Sequence, residues 1–140
     1  MNELNHLNKV RKDLEKLNQY SVVIYGSFLS KYYIPHKSDI DIAIITHHQE
    51  KDKNIAIWEE LLGEFNEKYD IKIFELLPLS LKIEIIEDYQ VLFGDPLEIS
   101  EYFYHFRSLW KDMAHRIALN RFKNITEKID LIERRLEYME

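Results

Sequence analysis

Residues 39–46 read DIDIAIIT, an apolar, β-branched run with two carboxylates at its start. Such a run makes a strand, and strand side chains alternate between two faces. Asp39 and Asp41 therefore share one face, and Ile40, Ile42 and Ile44 share the other. Roughly 7 Å should separate the two acidic positions along the backbone. Two like charges that close and partly buried are costly unless a positive charge lies between them. The fold must therefore bury one face of this strand and leave the acidic corner facing something cationic. Oxygen ligands with no Cys or His beside them favour Mg²⁺ or Mn²⁺.

The neighbouring segments supply the rest of such a corner. Ser21–Tyr25 is a second β-branched run that stops at Gly26, which predicts a strand ending in a residue free to take an unusual backbone conformation. Ser27 then opens a turn whose N–H groups, beside a hydroxyl, suit a phosphate. A third strand is predicted over Asp70–Leu76, ended by Pro78. Asp70 at its start is the candidate third carboxylate, for a second metal ion or for the proton of an attacking hydroxyl. Glu75 is its rival, but alternation puts it on the opposite face.

Around these strands the pattern is helical. Leu4, Leu7, Val10, Leu14 and Leu17 predict an amphipathic helix over residues 2–18. A second helix is predicted to run to about Lys68, with Ile55, Trp58, Leu61, Leu62 and Phe65 inward. A short helix is predicted over 79–88 and a fourth strand over 90–93, closed by Gly94-Asp95-Pro96. The remainder is helical. Phe103, Phe106, Trp110, Met113 and Ile117 form one series in steps of three and four, and Phe122, Ile125, Ile129, Ile132, Leu136 and Met139 form another, joined by a step of five. The first half suits packing on the sheet. The second suits either the chain's own domain or another chain, a homodimer through this helix included.

Composition narrows the function classes. With 140 residues and 46% apolar content, one domain with a proper core is expected. There is no cysteine, which removes disulfides, zinc–thiolate sites and thiol catalysis. The net charge is −6, which is not the footprint of a general nucleic-acid binder. Residues 101–140 are net +1, which leaves −7 on the first hundred residues. No run is long and apolar enough for a membrane span and the N-terminus is charged, so a cytoplasmic location is expected.

Taken together, GSFLSKYYIPHKSDIDIAI resembles the signature of the minimal nucleotidyltransferases of the DNA polymerase β-like superfamily, and YDIKIFELLPLSLKIEIIEDYQVLFGD resembles that family's third strand, leucine-proline turn and last strand. The resemblance covers roughly residues 20–95. It implies an α+β fold: a mixed four-stranded sheet backed by helices, here a core over residues 1–97 with a C-terminal helical extension over 98–140. It implies transfer of a nucleoside monophosphate, expected to be AMP from ATP, to an acceptor hydroxyl, with pyrophosphate leaving. Carried over residue by residue, Gly26 and Ser27 hold the β- and γ-phosphates, Asp39 and Asp41 bind two Mg²⁺ ions (Mn²⁺ being an alternative), and Asp70 binds the catalytic ion and is the candidate base. Eleven residues separate Ser27 from Asp39, one more than is usual in the family, and Lys31-Tyr32 stands where the family has Arg-Gly. Lys31 reaches a phosphate as a point charge instead of a bidentate fork.

Three readings of the function compete. The first is an enzyme whose acceptor is a protein, because small family members pair with a helical protein of the HEPN type as antitoxin and toxin. Tyr102, Phe103, Tyr104, Phe106 and Trp110 are candidates for that interface, with core packing as the rival role. The second is an inactive or weak subunit that binds nucleotide and masks a partner. The third is transfer to a small molecule such as an aminoglycoside, which the absence of a second domain disfavours. The Arg107-to-His115 spacing does not match the HEPN ribonuclease motif, so the tail is not read as a fused toxin.

Overall fold

The computed structural model describes residues 2–30 and 37–139. Its contacts divide the chain into two units, Met1–Phe106 and Arg107–Glu140. The first holds a four-stranded mixed sheet in the order β3-β2-β1-β4. The strands are β1 (Ser21–Tyr25), β2 (Ile40–Ile45), β3 (Tyr69–Ile73) and β4 (Tyr89–Phe93). β1 runs antiparallel to both β2 and β4, while β2 and β3 are parallel. This is the α+β arrangement that the sequence predicts.

Each face of the sheet carries one half of the core, as strand alternation requires. Val22, Ile24, Ile40, Ile42, Ile44, Tyr69 and Ile73 lie on one face. Helix α1 (Asn2–Asp13) covers them with Leu7 and Val10, followed by Leu14 and Leu17 from the turn after it, all at the predicted spacing. Val23, Ala43 and Ile45 lie on the other face, under Ile83, Ile85 and Ile86 of α3 (Leu79–Glu87) and Ile99 and Phe103 of α4 (Pro96–Met139). Pro96 opens α4 where no N–H is needed, and the Asp95 carboxylate accepts the Leu97 N–H at 3.1 Å.

Helix α2 departs from its prediction. It spans Lys51–Leu61 and stops short of Lys68, because Gly63 takes a left-handed conformation (φ +79°). Its inward face is also different. Asn54 is buried, and Ile57 and Leu61 pack on the core, while Trp58 and Leu62 are exposed. The pattern misleads because the deepest residue is polar. Asn54 is satisfied there: Thr46 Oγ1 donates to its Oδ1, and its Nδ2 donates to the His48 carbonyl at 2.9 Å.

In α4, Phe103 is buried and Phe106 packs against the same cluster, with ring centroids 4.9 Å and 5.3 Å from that of Phe74. Tyr104 is exposed. The second unit is helix alone, and Trp110, Met113, Ile117, Phe122, Ile125, Ile129, Ile132 and Leu136 are all exposed.

Candidate active site

The acidic corner forms where β1 ends and β2 and β3 begin. Antiparallel pairing sets Tyr25 beside Asp41, and parallel pairing sets Asp41 beside Asp70. Three strands therefore present Tyr25, Asp41 and Asp70 in a row on one face, at the polar end of the cluster that contains Val23, Ala43 and Phe74. Register fixes this row, so it needs no loop to hold it.

Gly26 explains how the carboxylate fits. It follows β1 with φ +78° and opens a 3-10 turn, Gly26–Leu29. A Cβ at this position would run into the Asp41 carboxylate, with Asp41 Cγ at 3.3 Å. Both the conformation and the space therefore require glycine. Ser27 comes next, and its carbonyl accepts the Ser30 N–H and Ser30 Oγ, each at 2.9 Å. Gly26, which opens this turn, lies against the Asp41 side chain.

The electrostatics are those of crowded charge. Burial holds the half-buried Asp41 carboxyl above its ordinary value, and Asp70 and Asp39 add to the effect, while Lys72 opposes it. Lys72 lies two residues beyond Asp70 and so on the same face. Its Nζ is 3.4 Å from Asp70 Oδ2. Burial alone would lower the Lys72 ammonium, but Tyr25, Asp70 and Asp41 around it turn the net shift upward. Burial likewise pushes the Tyr25 hydroxyl up against the pull of Lys72.

The predicted residues fare differently. Gly26, Asp41 and Asp70 come together. Asp39 lies one residue before β2 and is exposed, and it repels Asp41 less than Asp70 does. Lys31 lies outside the described residues. Glu75 is directed elsewhere, but not by alternation: β3 ends at Ile73, short of the predicted Leu76, and Glu75 lies in the 3-10 turn Phe74–Leu76 that follows. From there it accepts the Thr46 and His47 N–H groups at 3.1 Å and 3.0 Å and, at 2.8 Å, the hydroxyl of Tyr102, which packs on the same side of the sheet as Asp70. Lys72 and Tyr25 are the members that lie outside the sequence motif. Their signal was present in the alternation, one step along from Asp70 and directly across from Asp41.

The donor set fits a hard divalent cation. Two carboxylates stand abreast, one of them resisting ionisation, on a face where a glycine leaves room for the carboxylate. Among the described residues no three His, Cys, Asp or Glu side chains converge tightly enough to hold a metal, so the fit rests on the Asp41–Asp70 pair. Among the same residues no helix is long and apolar enough to cross a membrane.

Residues 7–96 match the family model described as polymerase beta, nucleotidyltransferase. A relative from Methanocaldococcus jannaschii, provisionally named a protein adenylyltransferase, is 45% identical over 115 residues, 82% of this chain and 88% of its own. Two solved structures share the fold. One is a chain from a toxin–antitoxin crystallised with AMP-PNP (TM-score 0.59, 16% identity, covering 78% of this chain and 94% of that one). The other is a chain from a tri-AMPylated Shewanella oneidensis HEPN toxin in complex with its MNT antitoxin (TM-score 0.54, 16% identity, covering 84% and 94%).

Proposed function

This chain belongs to the polymerase β-type nucleotidyltransferase family, and from that premise we propose that it transfers AMP from ATP to a hydroxyl on a partner protein, a helical protein of the HEPN type. The observation that carries the reading is the row Tyr25–Asp41–Asp70 beside Gly26. The name of the Methanocaldococcus relative and the AMPylated toxin bound to a protein of this fold support the choice of acceptor.

In the proposed reaction the acceptor oxygen attacks the α-phosphorus in line with the leaving pyrophosphate. One P–O bond forms, one breaks, and the hydroxyl proton is released. The N–H groups and hydroxyl at Gly26–Ser27 hold the β- and γ-phosphates, with Lys31 as a further contact. Asp41 and Asp70, joined by Asp39, would hold two Mg²⁺ ions, which when bound supply charge neutralisation at the phosphates and acidify the attacking hydroxyl. In this reading Asp70 accepts the hydroxyl proton. Lys72 keeps the Asp70 carboxylate oriented along the strand face. The remaining work is positioning, which the strand register performs before any ligand arrives.

The test is incubation of the purified chain with Mg²⁺ and labelled ATP, alone and with a candidate helical partner. Label on the partner, pyrophosphate in the medium, and loss of both in Asp41→Asn are expected. Label on an added small hydroxyl compound and none on protein would move the acceptor to the small-molecule class. Nucleotide binding without pyrophosphate release, with partner present, would leave a binding subunit.

A further inference from the structure

The apolar seam of the second unit has no part in the chemistry above. It lies wholly beyond residues 7–96, which the family model matches. Phe122, Ile125, Ile129, Ile132 and Leu136 repeat in steps of three and four, and all are exposed, from 49% at Ile129 to 72% at Phe122. With Phe122 at an a position, Ile129 and Leu136 are also a, and Ile125 and Ile132 are d.

The flanks of the seam identify what covers it. Arg121, Lys128 and Arg135 occupy the g positions, and Thr126 and Glu133 occupy e. All five are exposed. One edge is thus uniformly basic and the other neutral to acidic. Two such helices side by side and antiparallel would set g against g, basic edge against basic edge. Parallel and in register, each g position faces the e position five residues on in the other helix. Lys128 of each copy then meets Glu133 of the other, on both sides of the seam. The sequence is self-complementary in that one orientation.

We propose that residues 122–136 bind another copy of this chain as a parallel, in-register coiled coil. The proposal does not depend on nucleotide transfer, so it is tested without nucleotide and stands or falls apart from the catalytic reading.

The full chain is taken through sedimentation equilibrium across a concentration series. A species larger than the monomer is expected, and Ile129→Asp should return it to monomer with the circular dichroism of the sheet and helices unchanged. Because the chain has no cysteine, orientation can be read by cross-linking. Ile132→Cys should form a disulfide-linked pair on mild oxidation, since d faces d in a parallel coil, while Arg134→Cys on the outer face should not. Lys128→Glu should weaken assembly roughly fivefold, and Lys128→Glu with Glu133→Lys should restore it. A monomer at every concentration, equal cross-linking from both positions, or a charge swap without rescue would overturn the proposal. So would assembly only in the presence of a different protein.

Discussion

The two ends of β2 each hold a carboxylate, and the two are treated in opposite ways. At the end of the strand, Glu75 accepts three donors: two backbone N–H groups and the Tyr102 hydroxyl. At its beginning, Asp41 sits half-buried beside another acid, with its ionisation resisted by burial and by Asp70 and Asp39. Glu75 is a carboxylate whose demand for donors the fold has met. Asp41 is one whose ionisation the fold opposes, and in the proposed reaction a metal ion meets its charge. A buried acid with its donors in place reads as structure, and a crowded one at a glycine-cleared corner reads as function.

The contrast can be broken most forcefully at Asp41. Asp41→Asn should reduce transfer by about 10³-fold, equivalent to about 4 kcal/mol of transition-state stabilisation, while the metal-free melting temperature stays level or rises. Pyrophosphate release and differential scanning calorimetry read the two effects. A fall in both would make Asp41 a structural acid like Glu75.

Glu75→Ala should do the reverse and cost about 1–3 kcal/mol of stability, since it strands the Thr46 N–H and the Tyr102 hydroxyl in a half-buried place, while the exposed His47 N–H turns to water. Urea unfolding measures this. A loss under about 0.5 kcal/mol would mean that water replaces the carboxylate. Burial and Glu75 together push the Tyr102 hydroxyl well above its usual range, so it remains a donor at any working pH.

Gly26→Ala should cost about 1–3 kcal/mol, from the left-handed conformation and the collision with Asp41, and should also weaken nucleotide binding measured by calorimetry. Full stability with lost binding would show that the strain is relieved by moving Asp41 aside.

The smallest effect is in pH. The Asp41 carboxyl is raised above 3.8 in the folded chain, so the fold holds its proton more readily than the unfolded chain does. Stability from this group is present below 3.8 and is lost as pH rises through the raised value. Asp13 has the opposite sign. The Tyr69 hydroxyl, foremost among its partners, lowers its pKa, so it stabilises above 3.8 and loses that contribution as pH falls through the lowered value. Without metal, the advantage of Asp41→Asn over the unaltered chain should shrink from near neutral to about pH 4, by about 1 kcal/mol or less. A constant gap in melting temperature would mean that Asp41 is not crowded.

Much of this was legible in the sequence because strand alternation is a strict rule. It placed Asp41 and Asp70 on one face and Ile40, Ile42 and Ile44 on the other, but it did not reach Glu75, which lies past the end of β3 in a 3-10 turn and bonds Tyr102 on the Asp70 side of the sheet. It placed Asp39 inside the strand, whereas β2 begins one residue later, since pairing fixes where a strand starts and sequence shows only where it can. The face of α2 was misread because burial of Asn54 depends on Thr46 and His48, which approach only once the sheet exists. Lys72 was passed over for a different reason. A lysine in a strand looks like solvated charge until a neighbouring strand brings Asp41 and Tyr25 alongside it.

The ladder between β1 and β2 has one more implication, for how such chains diverge. Tyr25 and Asp41 are register partners, and Gly26 abuts Asp41, so both ends of the connecting segment are pinned by the sheet. Lengthening that segment by one residue adds only a few hundredths of a kcal/mol of closure entropy and leaves the spacing between glycine and carboxylate untouched. A change in the length of that segment therefore costs little and leaves the pairing of Tyr25 with Asp41 in place.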